Sequence, residues 1–175
     1  MGTPKGELNL GGVRLVDRAV WVLAQAGCAE VIAVTRPGVD VAGARVVRNE
    51  NPDQGMRSSL HLAVLAATEL AADALAVLLV DTPGITADSA AAVITAWRPG
   101  RITVGSYAGR RAHPTVMSPQ WWQRALALAG PDKGARALLA IERERVDEVA
   151  VDGDPTDLDT ADDLAAWRTT RGACS

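Results

Sequence analysis

The sequence contains no phenylalanine and a single tyrosine, so five tryptophans supply most of its aromatic surface. Proteins that stack nucleobases need several exposed rings, and this composition disfavours such a surface. Positive charge does not dominate either, because 18 Lys and Arg residues stand against 21 Asp and Glu residues, for a net charge of −3. The chain therefore lacks the basic footprint of a nucleic-acid-binding protein, although a single nucleotide could still be bound through backbone groups.

Cysteine is also scarce, with two residues, Cys28 and Cys174, far apart in the chain. They can form neither a disulfide framework nor a zinc site, and this usage is typical of a reducing compartment. Apolar runs are short as well, since none approaches the roughly 20 residues that span a bilayer. We therefore expect a cytoplasmic protein whose partners include neither nucleic acid nor a membrane.

The chain does contain enough apolar residues, 48% of 175, to bury the core of one domain. Apolar spacing predicts helices over residues 13–24, 56–70, 87–97, 121–129, 135–144 and 162–168. Short apolar runs predict strands over 30–35, 45–48, 75–80, 102–107, 115–117 and 146–151, with a loop over 1–12 and a polar turn over 108–111. This alternation indicates one three-layer α/β domain over residues 1–175 with a mostly parallel sheet.

The most informative strand is Leu75–Val80, six apolar residues that end at Asp81 and the turn residues Pro83 and Gly84. An unbroken apolar run is typical of a strand that is covered on both faces. In open α/β sheets, ligands bind at the carboxyl ends of the strands, where Asp81 would lie. An Asp at such a boundary can equally cap a helix or open a turn, and both interpretations remain open at this point.

Six short segments occur in order along the chain. They are Met1-Gly2-Thr3-Pro4-Lys5, Asn51-Pro52 with Gly55-Met56-Arg57-Ser58-Ser59-Leu60, Val80-Asp81-Thr82-Pro83, Arg111-Ala112-His113-Pro114, Asp132-Lys133-Gly134-Ala135-Arg136 and Asp157-Leu158-Asp159-Thr160-Ala161-Asp162-Asp163-Leu164. In this order and spacing, they resemble the motifs of the MobA-like NTP transferases. Within that family, they are most similar to those of the molybdenum cofactor cytidylyltransferases.

The resemblance implies a Rossmann-like nucleotidyltransferase domain. Such an enzyme transfers an NMP group from an NTP, with CTP favoured, to a phosphorylated small-molecule acceptor such as molybdopterin, and it releases pyrophosphate. Crowding several phosphates requires positioning and neutralisation of charge, for which Mg²⁺ with one or two carboxylates is suited. An oligomer is compatible with this interpretation.

The resemblance also assigns candidate roles. Lys5 and Asp81 are the catalytic candidates, and Asp81 with Asp159 would bind Mg²⁺, with Asp157 in reserve. The candidates for nucleotide binding are Gly2, Lys5, Gly55, Ser58 and Ser59, and those for acceptor binding are His113 and Pro114. Each has a structural alternative: a solvated lysine, a helix cap at Asp159 or at Gly55–Ser59, and a structural histidine.

Two departures from the family pattern bear on these expectations. Val80 and Thr82 stand where glycine and glutamine are usual, which affects acceptor specificity more than the metal. The family's first strand and glycine-rich loop are absent, and that strand would lie centrally, between the strands predicted at 30–35 and 75–80. Unpaired backbone groups there would cost about 1–3 kcal/mol each if buried, so we expect the working protein to carry an upstream strand and loop.

Two further hypotheses remain open. The chain could be a degenerate family member that binds a nucleotide or serves as a partner module without catalysis. It could also be a guanylyltransferase for another phosphorylated cofactor precursor, since the motifs point to the cytidylyltransferase branch by analogy alone.

Overall fold

The computed structural model describes residues 4–128, 135–159, 163, 165 and 167. Its strands are β1 (Asn9–Leu10), β2 (Val13–Arg14), β3 (Ile32–Thr35), β4 (Arg45–Arg48), β5 (Leu75–Val77), β6 (Ile102–Tyr107), β7 (Arg110–Met117) and β8 (Val146–Ala150). Its helices are α1 (Leu15–Gln25), α2 (Met56–Glu69), α3 (Ala87–Ala96), α4 (Pro119–Leu128) and α5 (Arg136–Ile141). Short 3₁₀ turns occupy Lys5–Glu7, Pro52–Gln54 and Arg143–Arg145.

The strands form a four-stranded sheet, in the order β5-β7-β6-β8, and a separate parallel pair, β3 with β4. β6 runs parallel to β8, whereas β7 runs antiparallel to both β5 and β6. β6 and β7 are joined by a two-residue turn, Ala108–Gly109, whose φ angles of 49° and 80° are those of a tight hairpin turn. The predicted α/β class is confirmed, and the sheet is mixed because this hairpin reverses the chain.

β5 covers only the first half of the predicted strand. Leu78, Leu79 and Val80, which follow it, are not in a strand and are half-buried. Its single ladder is with β7, and among the described residues no ladder joins β5 to β3. A strand paired on one side has fewer backbone hydrogen bonds to keep it extended, which accounts for its early end. The separation of the sheet between β3 and β5 agrees with the expected lack of a central strand there.

Other boundaries differ from prediction for identifiable reasons. The predicted loop over 1–12 contains a 3₁₀ turn and β1, and β1 pairs with β2, which occupies the first two residues of the predicted helix 13–24. The observed turn has two residues, fewer than predicted. Arg111, which was expected in the turn, lies in β7 and forms an ion pair with Glu148 at 2.6 Å. α5 ends at Ile141, and a 3₁₀ turn replaces its predicted last turn. Of the predicted helix 162–168, the described residues Asp163, Ala165 and Trp167 are helical, and the others lie outside the described residues.

The main core lies between the four-stranded sheet and helices α2, α4 and α5. It contains Leu60, Val64, Ile102, Val104, Met117, Trp122, Ala125, Leu126 and Leu138. A second cluster packs α1 against β3 through Val16, Val20, Val31, Ala33 and Val41. Within the described residues, no helix is long and apolar enough to cross a membrane.

The two adjacent tryptophans near the start of α4 differ in burial. Trp122 is 1% exposed, and its Nε1 donates to the carbonyl oxygen of Leu75 at 2.9 Å. Trp121 is partly buried, and the guanidinium of Arg124 lies 5.0 Å from the centre of its ring. The Trp122 bond connects α4 directly to β5, the strand that leads to Asp81.

Replacement of Trp122 by Phe should lower the free energy of unfolding by about 2–4 kcal/mol, because it leaves a void and deprives the Leu75 carbonyl of a partner. The matched control is Trp21→Phe, since Trp21 is 56% exposed on α1 and should cost less than about 0.5 kcal/mol. Urea unfolding followed by far-ultraviolet circular dichroism measures both. Equal effects of the two substitutions would contradict the assigned role of Trp122.

Candidate functional site

Asp81 lies in a turn that is held from two sides. The hydroxyl of Thr82 donates to the carbonyl oxygen of Leu79 at 2.8 Å, which closes the turn on itself. Arg18, on α1, donates from Nε to the carbonyl oxygen of Pro83 at 2.8 Å. The Asp81 side chain is 17% exposed. The carboxylate is therefore positioned by the turn and by α1, with little freedom to move.

The segment that carries Asp157 and Asp159 is joined to this turn by main-chain hydrogen bonds. Leu158 N donates to Asp81 O at 2.8 Å, and Asp154 N donates to Gly84 O at 3.1 Å. At Gly84 the approach is so close that an added Cβ would lie 2.3 Å from the Asp154 carbonyl oxygen, so glycine is required there. Because Leu158 is buried, the acidic residues on either side of it are held beside Asp81.

Lys5 connects the two acidic segments. Its Nζ donates to Asp81 Oδ2 at 2.9 Å and to Asp159 Oδ1 at 2.5 Å. Burial lowers the pKa of Lys5, but the hydrogen bonds to Asp159 and Asp81 outweigh this and raise it above its ordinary value. The structure thus brings together three residues that are 76 and 154 positions apart in the chain. Gly2, the other predicted residue of this loop, lies outside the described residues.

Within the part of the chain that the structure describes, one oxygen of this cluster has no hydrogen-bond partner. Asp81 Oδ1 is buried and unpaired, although an ionised carboxylate oxygen at such a place normally has a partner. Desolvation raises the pKa of Asp157, and the negative charges of Asp81 and Asp159 add to this effect. A hard divalent cation would satisfy the orphaned oxygen and the excess negative charge, so the residues present fit Mg²⁺.

The described part of the chain contains no group of three or more His, Cys, Asp or Glu residues placed to hold a metal ion by themselves. An ion at Asp81 and Asp159 would complete its coordination with water and with ligand oxygens. This is the usual arrangement for Mg²⁺ in sites that bind phosphates.

His113 and Pro114 lie in a bulge of β7. The ladder pairs Val104 with Thr115 and Gly105 with Ala112, so the two residues between them have no partner on β6. Bulges redirect side chains and are common beside active sites. The hydroxyl of Tyr107 donates to the carbonyl oxygen of His113 at 2.8 Å, which satisfies the bulged backbone.

The ring of His113 is held in one orientation by a bond from its Nδ1 to the carbonyl oxygen of Val77, 3.0 Å away. Since a carbonyl can only accept, Nδ1 carries the proton and Nε2 presents a lone pair when the ring is neutral. Desolvation lowers the pKa of His113, against the opposing effects of the Val77 bond and of Asp81 and Asp157. The ring is therefore a neutral acceptor beside the acidic cluster, and its predicted contact with the acceptor substrate stays a prediction.

A second polar cluster lies at the start of α2, where Gly55 has a φ of 85°. Asn49 is 3% exposed, and its Nδ2 donates to Ser58 Oγ at 2.9 Å and to Ser59 Oγ at 3.0 Å. Its Oδ1 accepts from the backbone N–H of Asn51 at 2.9 Å. Asn49 thus organises the loop in which the nucleotide-binding candidates lie.

The two serines differ in what they can offer a ligand. Ser58 Oγ accepts from Asn49 and donates to Gly55 O at 2.9 Å, so its hydrogen is used within the loop. Ser59 Oγ also accepts from Asn49, which leaves its hydrogen available to a ligand acceptor. Sequence reasoning missed Asn49, although a polar residue directly after the strand β4 was a usable signal. The predicted contributions of Gly55, Ser58 and Ser59 to nucleotide binding stay predictions. The segment Asp132–Gly134 lies outside the described residues.

An α/β domain whose loops gather two carboxylates and a lysine at the sheet edge is of the Rossmann-like nucleotidyltransferase type. The chain belongs to the MobA-like NTP transferase family, whose domain it matches over residues 1–149. Asp157 and Asp159 lie beyond the matched residues. Their link to Asp81 therefore rests on the geometry described above.

Three proteins illustrate the relationship. The chain is 30% identical to the nicotine blue oxidoreductase of Paenarthrobacter nicotinovorans, over 92% of this chain and 86% of that protein. It is similar to the crystal structure of Rv0371c from Mycobacterium tuberculosis H37Rv, with 29% identity, a TM-score of 0.78 and coverage of 95% and 89%. A manganese complex of Rv0371c matches with 28% identity, a TM-score of 0.73 and coverage of 93% and 90%. A nucleotidyl transferase from Methanothermobacter shares the fold, with 20% identity, a TM-score of 0.77 and coverage of 98% and 86%.

The lowered pKa of His113 predicts a loss of stability in mild acid. As the pH falls below the ordinary histidine value of 6.5, the unfolded chain takes up a proton that the folded protein resists. Between pH 7.5 and 5.5, this residue should lower the free energy of unfolding by about 1 kcal/mol. His113→Asn, whose amide can still donate to Val77 O, should remove that part of the pH dependence.

The control is His61→Asn, at the exposed second histidine of the chain, on α2. Urea unfolding at several pH values should give His61→Asn the slope of the unmodified protein. A slope that is unchanged in His113→Asn would show that His113 does not resist protonation.

Proposed function

We propose that this protein transfers an NMP group from an NTP to a phosphorylated small-molecule acceptor. A phosphate oxygen of the acceptor attacks the α-phosphorus, the bond from that phosphorus to the β-phosphate bridging oxygen breaks, and pyrophosphate leaves with the bond electrons. The observation that carries the proposal is the meeting of Lys5, Asp81 and Asp159, with Lys5 Nζ at 2.9 and 2.5 Å from the two carboxylates. Charged groups positioned in advance are the main requirement of this reaction.

Each part of the site has a role in this proposal. Asp81 and Asp159 would hold Mg²⁺, which, when bound, neutralises and aligns the triphosphate. Lys5 contacts a phosphate oxygen as a mobile positive charge. Ser59 donates its free hydrogen to the nucleotide, from the loop that Asn49 organises. His113 Nε2 accepts a hydrogen bond from the acceptor substrate beside Asp81.

The finer assignments are CTP as the nucleotide and a molybdopterin-like acceptor. Support for CTP comes from the Met1–Lys5 and Gly55–Leu60 segments, which resemble the cytidylyltransferase branch. Support for a divalent cation comes from the orphaned Asp81 Oδ1 and from the manganese complex of the related Rv0371c. The acceptor is the less constrained assignment, because Val80 and Thr82, which flank Asp81, differ from the family pattern.

One observation favours a second candidate function. The relative that is 30% identical over 92% of this chain is named as an oxidoreductase. A redox reaction on a small molecule would require an external electron donor or acceptor, such as a nicotinamide nucleotide. Oxidation of NADH or NADPH in the presence of candidate substrates would separate this candidate from nucleotidyl transfer, which releases pyrophosphate and consumes no reductant.

The purified chain, assayed with each NTP, Mg²⁺ and phosphorylated acceptors, should release pyrophosphate most rapidly with CTP. Asp81→Asn and Asp159→Asn should each lower kcat/KM by about 100-fold or more, because each removes a negative ligand from the proposed cation. Asp73→Asn, at an exposed aspartate before β5, is the matched control and should leave the rate unchanged.

A thermal shift by an NTP with no pyrophosphate release would support the degenerate, nucleotide-binding alternative instead. Preference for GTP would support the guanylyltransferase alternative. A rate that persists in Asp81→Asn would contradict the proposed site.

A further inference from the structure

Lys5 occupies the position between the carboxylates that a divalent cation would need. We infer that Lys5 is a placeholder: without nucleotide its ammonium neutralises Asp81 and Asp159, and it moves to the phosphates when the metal–nucleotide complex binds. This inference rests on the proposed function, and it adds an order of binding and a second role for Lys5.

The geometry of the three side chains carries the argument. Lys5 Nζ binds one oxygen of each carboxylate, Asp81 Oδ2 and Asp159 Oδ1. An ion that bridges the same two carboxylates would compete for those oxygens and for the same space. The ammonium satisfies only part of the pair, since Asp81 Oδ1 is buried and has no hydrogen-bond partner among the residues that the structure describes. The single positive charge of Lys5 therefore neutralises the two carboxylates less completely than a divalent ion would.

The Lys5 side chain is also able to move away from the two carboxylates. Its side chain is 36% exposed, and Asp159, its second partner, is 68% exposed. The 3₁₀ turn that carries it is closed by two local backbone bonds, Glu7 N to Pro4 O and Leu8 N to Lys5 O. A four-carbon stem on such a short turn can redirect its ammonium without unfolding a helix or a strand.

The exchange of partners has a thermodynamic consequence. A free divalent ion must displace Lys5 and leave its ammonium without an anion, so binding of the ion alone is weakened. A triphosphate supplies anionic oxygens to Lys5 and to the ion, so metal and nucleotide each favour binding of the other. The site should therefore bind its cation mainly together with the nucleotide.

A purely structural salt bridge predicts a different result. Removing it would cost stability and would not improve metal binding. The substitution Lys5→Met keeps the length of the stem and removes the charge, so it separates the two interpretations. Arg45→Met is a matched control, because Arg45 Nη2 forms an exposed ion pair with Glu69 Oε2 at 2.8 Å.

The experiment measures binding of free Mn²⁺ by electron paramagnetic resonance, and binding of CTP at saturating Mn²⁺ by calorimetry. Lys5→Met should bind free Mn²⁺ about tenfold more tightly than the unmodified protein, because the ion no longer has to displace the ammonium. It should bind Mn²⁺-loaded CTP about tenfold more weakly, because the positive charge that contacts the phosphates has been removed. Adding Asp81→Asn to Lys5→Met should cancel the gain. Arg45→Met should change neither affinity, and circular dichroism should show that all variants are folded.

The outcomes separate this inference from the proposed function. If Lys5→Met binds free Mn²⁺ no more tightly while the unmodified protein still releases pyrophosphate in an Asp81-dependent way, the placeholder role is refuted and the function stands. If Mn²⁺ binding tightens but no NTP yields pyrophosphate, the placeholder role is supported and nucleotidyl transfer is refuted.

Discussion

The site depends on one main-chain hydrogen bond, from Leu158 N to Asp81 O. It places two acidic segments, distant in the chain, against each other, and it does so at an electrostatic cost, because like charges oppose close approach. The buried side chain of Leu158 and the close contact of Gly84 with Asp154 help to offset that repulsion. Lys5 offsets the repulsion further, because its ammonium forms ion pairs with both Asp81 and Asp159.

The surrounding structure supports this arrangement from both sides. α1 holds the Asp81 turn through Arg18, and α4 holds the preceding strand through Trp122. β5 needs such support, since β7 is its one ladder partner in the described ranges and the strand ends at Val77. The bulge at His113–Pro114 is attached to the same strand, because Nδ1 of the His113 ring donates a hydrogen bond to Val77 O. The site is thus assembled from loops and a bulge around one short strand.

Much of the fold was predictable from local patterns. The strands at 45–48 and 102–107 have the predicted bounds, because apolar runs next to turn residues define them without ambiguity. The hairpin that makes the sheet mixed was harder to predict, since Arg110 and Arg111 suggest a solvated turn. Pairing of Arg111 with Glu148 is a tertiary contact, which a local pattern does not contain. The short length of β5 agrees with its having a ladder only with β7 among the described residues, which is also a tertiary property.

The candidate site was predictable to a different degree. The placement of Asp81, Asp159 and Lys5 in one candidate site followed from the ordered motifs, whereas the two ion pairs of Lys5 were not predicted. Asn49 was missed because its importance lies in burial and in two hydrogen bonds to serines nine and ten residues away. The difference between Ser58 and Ser59 could not be predicted from the sequence either. It depends on which lone pairs and hydrogens of the two hydroxyl groups already form hydrogen bonds. Such properties arise only when distant groups meet.

The contacts that join the two acidic segments, Leu158 to Asp81 and Asp154 to Gly84, involve backbone atoms only. Side chains around them can therefore change in evolution without altering the separation of the carboxylates, provided that glycine is kept at position 84. Val80, which is half-buried beside Asp81, can vary without loss of these main-chain contacts, whereas the hydroxyl of Thr82 is needed to close the turn that carries Asp81. Because these contacts use main-chain atoms, one scaffold can acquire different substrates by substitution of the side chains around the site.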